Sequence, residues 1–541
     1  MHATMMDDYP LTVNHLVERA ERLYPTREIV SQMPDKSLRR HDYRTVVGRA
    51  RALAKALIDA GLQKGDRVAT LMWNHHVHLE VYYGVPMAGG IYHTLNLRLS
   101  PADLSFIATH AHDRFLVIDD VLLPLLETFE DNARFDRVLV ANLKGEPLPR
   151  GREDYEDFIG EPLGPGDWTP PEPKETDGIG MCYTSGTTGR PKGVVYSHRA
   201  IALHSMASAM TDGLTLSQHD VLLPVVPMFH ANAWGLPFTA ALVGAKQVHP
   251  GPHLDPTSLL DLYEREKVTV SAGVPTIWLG IQKAVEAEPD RWTLQDGLRM
   301  VVGGSAAPEA MIRKMDELGM EVIHAWGMTE TSPLGSVATI KPSIEDKGED
   351  VIYATRAKQG LPAPFVEVRA VGEKGPVPWD GQSMGELQVR GPWVAASYHD
   401  MPEISDEKWT EDGWFRTGDV VTIDPEGYIK ITDRTKDLIK SGGEWISSVE
   451  LENALMGHES IQEAAVIGIP DERWVERPLA AVVLRDGYDI DADALTEHLL
   501  QKFPKWWMPE GFVVMDEIPR TSTGKFLKAK LRENLSDWQP S

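Results

Sequence analysis

The chain has 541 residues, with 54 lysines and arginines against 80 aspartates and glutamates, and a formal net charge of −26 at pH 7. Acidity on this scale argues against nonspecific nucleic-acid binding and against docking on an anionic lipid surface, since both need a positive face. The 42% hydrophobic and 25% charged content is that of a folded chain, and the single cysteine, Cys182, excludes an intrachain disulfide or a cysteine-cluster metal site.

The opening MHATMMDDYP carries early acids and no apolar core, so no secretory signal is expected. No apolar run of about 18 residues predicts a membrane span, no lipidation motif closes the chain, and a cytoplasmic protein is expected. Helical spacing is predicted over 15–23 and 43–60, and buried strands over 67–73, 115–119 and 138–141. The Pro- and Gly-rich stretch 161–174 reads as a linker or surface loop. Beyond it, strands 179–183, 221–226, 268–272, 300–302 and 322–325 alternate with helices 198–211, 258–266 and 308–318, the signature of parallel α/β layers. From residue 365 the pattern becomes strictly alternating, over 366–371 and 386–390. A hairpin then joins 420–423 to 428–431 through Asp424-Pro-Glu-Gly427, where Pro and Gly suit a turn. The remainder carries a helix at 448–456, strands at 464–467 and 480–484, a helix at 493–503 and a terminal helix from 524. The fold class is therefore α/β, with a large multi-layer N-terminal body (1–433) containing a β-rich subdomain, and a small α+β C-terminal domain (434–541).

One segment stands out chemically: Tyr183-Thr-Ser-Gly-Thr-Thr-Gly-Arg-Pro-Lys-Gly193. An apolar strand runs into hydroxyls and glycines, and glycine lets peptide N–H groups converge on phosphate oxygens. Between residues 178 and 211 the charged residues are Arg190, Lys192 and Arg199, a positive island in an acidic chain. It is not a Walker A loop, because Pro191 stands where that motif needs glycine, which disfavours a P-loop ATPase.

This segment resembles the phosphate loop of the adenylate-forming superfamily of acyl-CoA synthetases, luciferases and peptide-synthetase adenylation domains. Further motifs in chain order carry the likeness over essentially the whole length. The resemblance implies the adenylate-forming enzyme fold, ATP, Mg2+ and coenzyme A as cofactors, and a nucleotide site built from Thr184, Ser185, Gly186, Thr187, Thr188, Gly189 and Lys192. Pro227-Met-Phe-His230-Ala-Asn-Ala-Trp234-Gly resembles the segment lining the acyl pocket, which places His230 near the substrate carboxylate and Trp234 at the tunnel gate. Val302-Gly-Gly-Ser-Ala-Ala-Pro308 resembles the adenine loop, with Gly304, Ser305 and Ala306 on the nucleotide and Gly303 toward the acid. His324-Ala-Trp-Gly-Met-Thr-Glu330 resembles the aromatic-Gly-x-Thr-Glu motif. There His324, Ala325, Trp326, Gly327 and Thr329 would contact the nucleotide and Met328 the acid, while Glu330, with Thr184, would ligate Mg2+. Trp326 replaces the usual tyrosine as a stacking face.

Trp414-Phe-Arg-Thr-Gly-Asp419 resembles the ribose motif, with Asp419 accepting from both hydroxyls. In Asp433-Arg-Thr-Lys-Asp-Leu-Ile-Lys440-Ser-Gly-Gly-Glu-Trp445, Arg434 would touch the ribose and Lys436 falls at the hinge of the family's rotating C-terminal domain. Lys440, Gly442, Gly443 and Trp445 would meet CoA. Ile518-Pro-Arg-Thr-Ser-Thr-Gly-Lys525 places the adenylation lysine at Lys525, so Lys525, His230 and Glu330 are the expected catalytic residues. The implied reaction joins a carboxylic acid to ATP as an acyl-adenylate with loss of pyrophosphate, then to CoA with loss of AMP. The segments at 227–238 and 441–448 look most like methylmercaptopropionate–CoA ligases and bacterial fatty acyl-CoA synthetases. 3-Methylmercaptopropionate is the first expected acid, and a medium- or long-chain fatty acid the alternative. A nucleotide-binding protein without turnover is the alternative from another class. A homodimer through the N-terminal body is also implied.

Overall fold

The computed structural model describes residue 6 and residues 8–184, 190–441, 444–471, 473–520, 526–536 and 538. Among these, four sheets carry the chain. The largest has nine strands, in the order Leu361–Pro362, Leu334–Val337, Met320–Gly327, Leu298–Val302, Val270–Gly273, Val221–Pro224, Lys246–His249, Glu28–Gln32 and Leu38–Asp42. From Met320–Gly327 across to Glu28–Gln32 the pairings are parallel, and antiparallel strands finish both edges. A seven-stranded sheet runs Glu153–Asp154, Arg137–Ala141, Asp113–Asp119, Arg67–Leu71, Ile91–Thr94, Gly178–Tyr183 and Gly193–Ser197. Parallel strands covered on both faces need near-continuous apolar sequence, as in the fully buried Val270–Gly273.

The β-rich subdomain is a five-stranded antiparallel sheet of Gly375–Pro376, Glu367–Gly372, Gly385–Arg390, Phe415–Ile423 and Ile429–Arg434. The C-terminal sheet orders Glu444–Ile446, Ile439–Ser441, Val475–Leu484 and Ile461–Asp471, with Phe512–Val514 parallel to Val475–Leu484. No helix among the described residues is long and apolar enough to cross a membrane.

Most predicted elements occupy their expected places, with altered ends. The hairpin strands predicted at 464–467 and 480–484 lengthen to Ile461–Asp471 and Val475–Leu484, because their outer rungs pair in register down to Asp471 and Val475. The helix predicted from 524 begins only at Lys528. Before it, the Leu527 N–H donates to the Pro519 carbonyl (2.7 Å) and Arg520 bridges Phe526, so the backbone is committed to a stem. The helix predicted over 493–503 is Ala492–Leu500, begun by the Asp491 carboxylate accepting from the Ala494 N–H and followed by Pro504. Cys182 is buried in its strand, where loss of solvent pushes the thiol upward.

His76–Met87 is a helix with all twelve residues buried, packed against Tyr43–Asp59. Inside that contact Glu80 receives Arg49 Nε at 2.7 Å and the Tyr155 hydroxyl at 2.8 Å. Burial pushes the Glu80 carboxyl upward and Arg49 opposes it. Arg49→Ala would strand this carboxylate, and a loss of about 3–5 kcal/mol is expected from the midpoint of denaturant unfolding.

Candidate functional site

Two of the predicted loops leave the carboxyl ends of parallel strands, where open α/β sheets place their ligands. Leu298–Val302 leads into Gly303, Gly304, Ser305 and Ala306, and Met320–Gly327 into Met328, Thr329 and Glu330. Val302 pairs with His324, so the two loops emerge side by side.

At the centre is Asp419, 1% exposed. One carboxylate oxygen accepts from the Trp326 indole N–H (3.0 Å) and the other from Arg434 Nε (2.6 Å). Asp419 and Arg434 are cross-strand partners, so the sheet register presents them together. A carboxylate has about four acceptor positions, so two protein donors leave capacity for ribose hydroxyls. The indole N–H is a donor that a tyrosine ring edge lacks, and stacking alone did not foretell it. Gly335 lies under the Trp326 ring, where a Cβ would come within 2.3 Å. Met328 packs with Trp326 on the subdomain core. His324 is buried, and desolvation lowers its pKa to about 4, so it is neutral near pH 7.

Glu330 is buried and accepts from the Tyr398 hydroxyl at 2.6 Å. Burial and the Glu330 charge both push that phenol upward. Among the described residues no group of three or more His, Cys, Asp or Glu side chains converges as a metal cage. One buried carboxylate fits Mg2+ that takes its remaining oxygens from ATP phosphates and water. The backbone carbonyl of Thr329 accepts from Tyr196, which braces the turn from the neighbouring sheet.

Thr184 and Lys192 close the neck of the phosphate segment. The Thr184 N–H donates to the Lys192 carbonyl (2.9 Å) and the Lys192 N–H to Thr184 Oγ1 (3.2 Å). Ser185, Gly186, Thr187, Thr188 and Gly189 lie outside the described residues, as do Gly442, Gly443 and Lys525. The Lys192 ammonium stands 5.7 Å from the Tyr398 ring centroid, and Arg190 covers Phe106 at 5.1 Å. Lys436 is pulled below the usual lysine range by burial and by Arg434, Arg532 and Lys192, against the attraction of Asp437. Lys440 sits over Trp445 at 5.0 Å, its partner across a two-stranded rung, and Trp445 stays partly exposed.

The segment expected to line the acyl pocket has a feature that the sequence concealed. Ala231, Asn232, Ala233, Trp234 and Gly235 are consecutive residues at φ of 43°, 56°, 46°, 57° and 72°, a left-handed turn. Non-glycine residues pay about 1–2 kcal/mol each for this conformation. Its frame is buried: Asn232 Oδ1 accepts from Cys182 Sγ at 3.3 Å, and the Ala233 N–H donates to the His230 carbonyl at 3.2 Å. The turn sets His230 at its entrance and lays the Trp234 ring on Gly303, where a Cβ would come within 3.0 Å. His204 closes the other side, its Nε2 accepting from the Leu334 N–H at 3.2 Å.

These loops on this fold define an enzyme of the adenylate-forming class. Residues 17–399 match the family model of the AMP-binding enzyme, and residues 450–525 that of the AMP-binding enzyme C-terminal domain. The chain is 48% identical over 538 residues to a long-chain-fatty-acid–CoA ligase of Thermus thermophilus, covering 99% of this chain and 97% of that one. It is 42% identical over 537 residues to a 3-methylmercaptopropionyl-CoA ligase of Ruegeria pomeroyi, covering 98% of each. The solved structure of an anthranilate CoA ligase in complex with anthranoyl-AMP matches with a TM-score of 0.85 at 27% identity, covering 98% of this chain and 99% of that one. The chain belongs to the AMP-binding enzyme family. It is an AMP-forming acyl-CoA ligase, with ATP, Mg2+ and coenzyme A as cofactors.

Gly235→Ala tests the wall. The φ of +72° costs about 1–2 kcal/mol for alanine, and the new methyl would come within 2.6 Å of the His204 ring. A lower thermal midpoint is expected, together with a raised KM for the acid and an unchanged KM for ATP.

Proposed function

We propose that this ligase activates a carboxylic acid with an apolar tail, seated along Trp234 and Gly303, and that its two half-reactions are divided between faces of the C-terminal domain. The observation that carries this reading is the corner in which Asp419, Trp326 and Arg434 interlock beside the buried Glu330. In this reading Asp419 and Arg434 hold the ribose, Trp326 and the loop 303–306 the adenine, and Thr184, Lys192 and Thr329 the phosphates. Glu330 with Thr184 would hold Mg2+, which supplies charge neutralisation at the phosphates. His230 orients the acid carboxylate, and Lys525 offsets the negative charge that builds as that carboxylate meets the α-phosphate. Body 1–433 and C-terminal domain 434–541 turn about Lys436, which brings Lys440, Gly442, Gly443 and Trp445 to CoA for the second step. Lys525→Ala is expected to abolish acyl-adenylate formation while a supplied acyl-adenylate is still transferred to CoA. Equal loss of both steps would overturn that role.

For the acid, the sequence reading put 3-methylmercaptopropionate first. The 48% identity to a ligase named for long-chain fatty acids, against 42% to one named for 3-methylmercaptopropionate, supports a fatty acid as the leading reading. The thioether acid stays as the second. Each extra methylene in an apolar pocket is worth only about 1–3 kcal/mol, so the two ranges overlap. CoA-dependent AMP release measured across methylmercaptopropionate, butyrate, octanoate and palmitate is expected to give its highest kcat/KM with octanoate or palmitate. A maximum at methylmercaptopropionate would reverse the order. We further propose a cytoplasmic homodimer joined through the body, for which light scattering should give twice the chain mass.

A further inference from the structure

On either side of residues 521–525 the described chain closes a stem. Arg520 and Phe526 form an antiparallel bridge, the Leu527 N–H donates to the Pro519 carbonyl at 2.7 Å, and the Arg520 guanidinium covers the Phe526 ring at 4.6 Å. Arg520 also pairs with Glu463 of the C-terminal sheet at 2.7 Å. Directly below the stem, Lys528 turns inward. It is 9% exposed, an unusual degree of burial for a lysine.

The Lys528 ammonium pairs with Glu452 at 2.7 Å and donates to Ser448 Oγ at 2.5 Å. Ser448 Oγ in turn donates to Asp433 Oδ2 at 2.6 Å, and the Ser448 N–H reaches the same oxygen at 2.6 Å. Glu452 Oε1 also accepts from the Val466 N–H at 2.7 Å. Ser448, Asp433 and Glu452 are all buried. This chain of contacts crosses the junction. Asp433 is next to last in the strand Ile429–Arg434 before Lys436; Ser448 and Glu452 lie on the first helix after it, and Lys528 begins the terminal helix. One turn further on, Arg532 pairs with Asp437 at 2.8 Å. A buried, directional network of this kind holds its members more tightly than a surface pair does, because each lost contact strands a charge.

We infer that Lys528 is a positioning residue of the reaction: anchored on Glu452 and, through Ser448, on Asp433, it fixes the stem that presents Lys525. The inference rests on the assignment of Lys525 to adenylation. It assigns to Lys528 no contact with substrate. Because the network crosses the junction, its loss reaches both half-reactions, and the larger fall is expected in the one that needs Lys525.

The test uses the full-length enzyme carrying Lys528→Met together with Glu452→Gln, which removes both charges and keeps the volume. Burial already pushes the Glu452 carboxyl up to about 7, so a neutral group is tolerated there. Acid-dependent pyrophosphate exchange is expected to fall about 10–100-fold, as a misplacement of about 1 Å costs a catalytic group, while thioester formation from supplied acyl-adenylate and CoA changes less than about threefold. Lys528→Arg should restore most of the exchange. Should the double variant fail to fold, Ser448→Ala removes one hydroxyl of the chain and should lower exchange with the same selectivity. Equal loss in both half-reactions, or no loss in either, would overturn the inference. Lys525→Ala run in parallel separates the two claims. If it leaves exchange intact, the Lys525 reading has failed; if it abolishes exchange while the Lys528 variants spare it, this inference alone has failed.

Discussion

The carboxylate of Asp419 is where three parts of the chain become one site. It is a nearly fully buried charge, and such a group is stable only when specific donors replace lost water. Its donors come from different places: Trp326 from the end of a strand in the nine-stranded sheet, and Arg434 from the neighbouring strand of the β-rich subdomain. The interaction locks the subdomain onto the main sheet at the point where a nucleotide would lie. It also connects that point to the domain junction, because Asp433 and Arg434 are adjacent. One reaches into the C-terminal domain through Ser448 and the other pairs with Asp419.

The charge balance looks different once the cations are located. In a chain of net −26, a lysine or arginine near an anion site would ordinarily be claimed by an acid. Here several rest on aromatic faces: Arg190 on Phe106, Lys192 on Tyr398, Lys440 on Trp445. A ring face holds a cation by about 0.5–1 kcal/mol and leaves its charge uncancelled. Aromatic seats thus orient positive groups while leaving them able to act on phosphate.

Much of this was legible in the sequence, and the gaps have physical causes. The alternation of apolar runs and amphipathic stretches identified the layered body, and ten-residue motifs located the loops at the strand ends. The helix His76–Met87 gave no periodic signal because no face of it is exposed. The hairpin Ile461–Asp471 with Val475–Leu484 outran its predicted length because cross-strand pairing extends into residues that carry little apolar pattern. The family resemblance singled out Asp419 together with its partners Trp326 and Arg434, and Glu330 without its partner. Tyr398 meets Glu330 from 68 residues away, and His204 meets Leu334 across 130. Such contacts follow from topology, which local pattern does not encode. The left-handed turn was hidden for another reason: four of its five residues are not glycine, so the usual marker of that backbone was missing.

That turn bears on which positions of this fold can change over evolutionary time. Positions 231–234 must accept a backbone that most side chains resist, and β-branched residues resist most. The wall that carries Trp234 is thus conformationally expensive to vary. Opposite it, a side chain at Gly303 would press on the Trp234 ring, which would have to give by a few tenths of an ångström. The neighbouring helix His198–Ala209 has a regular backbone and carries no such restriction. Descendants of this scaffold would be expected to vary more along that helix than along the turn.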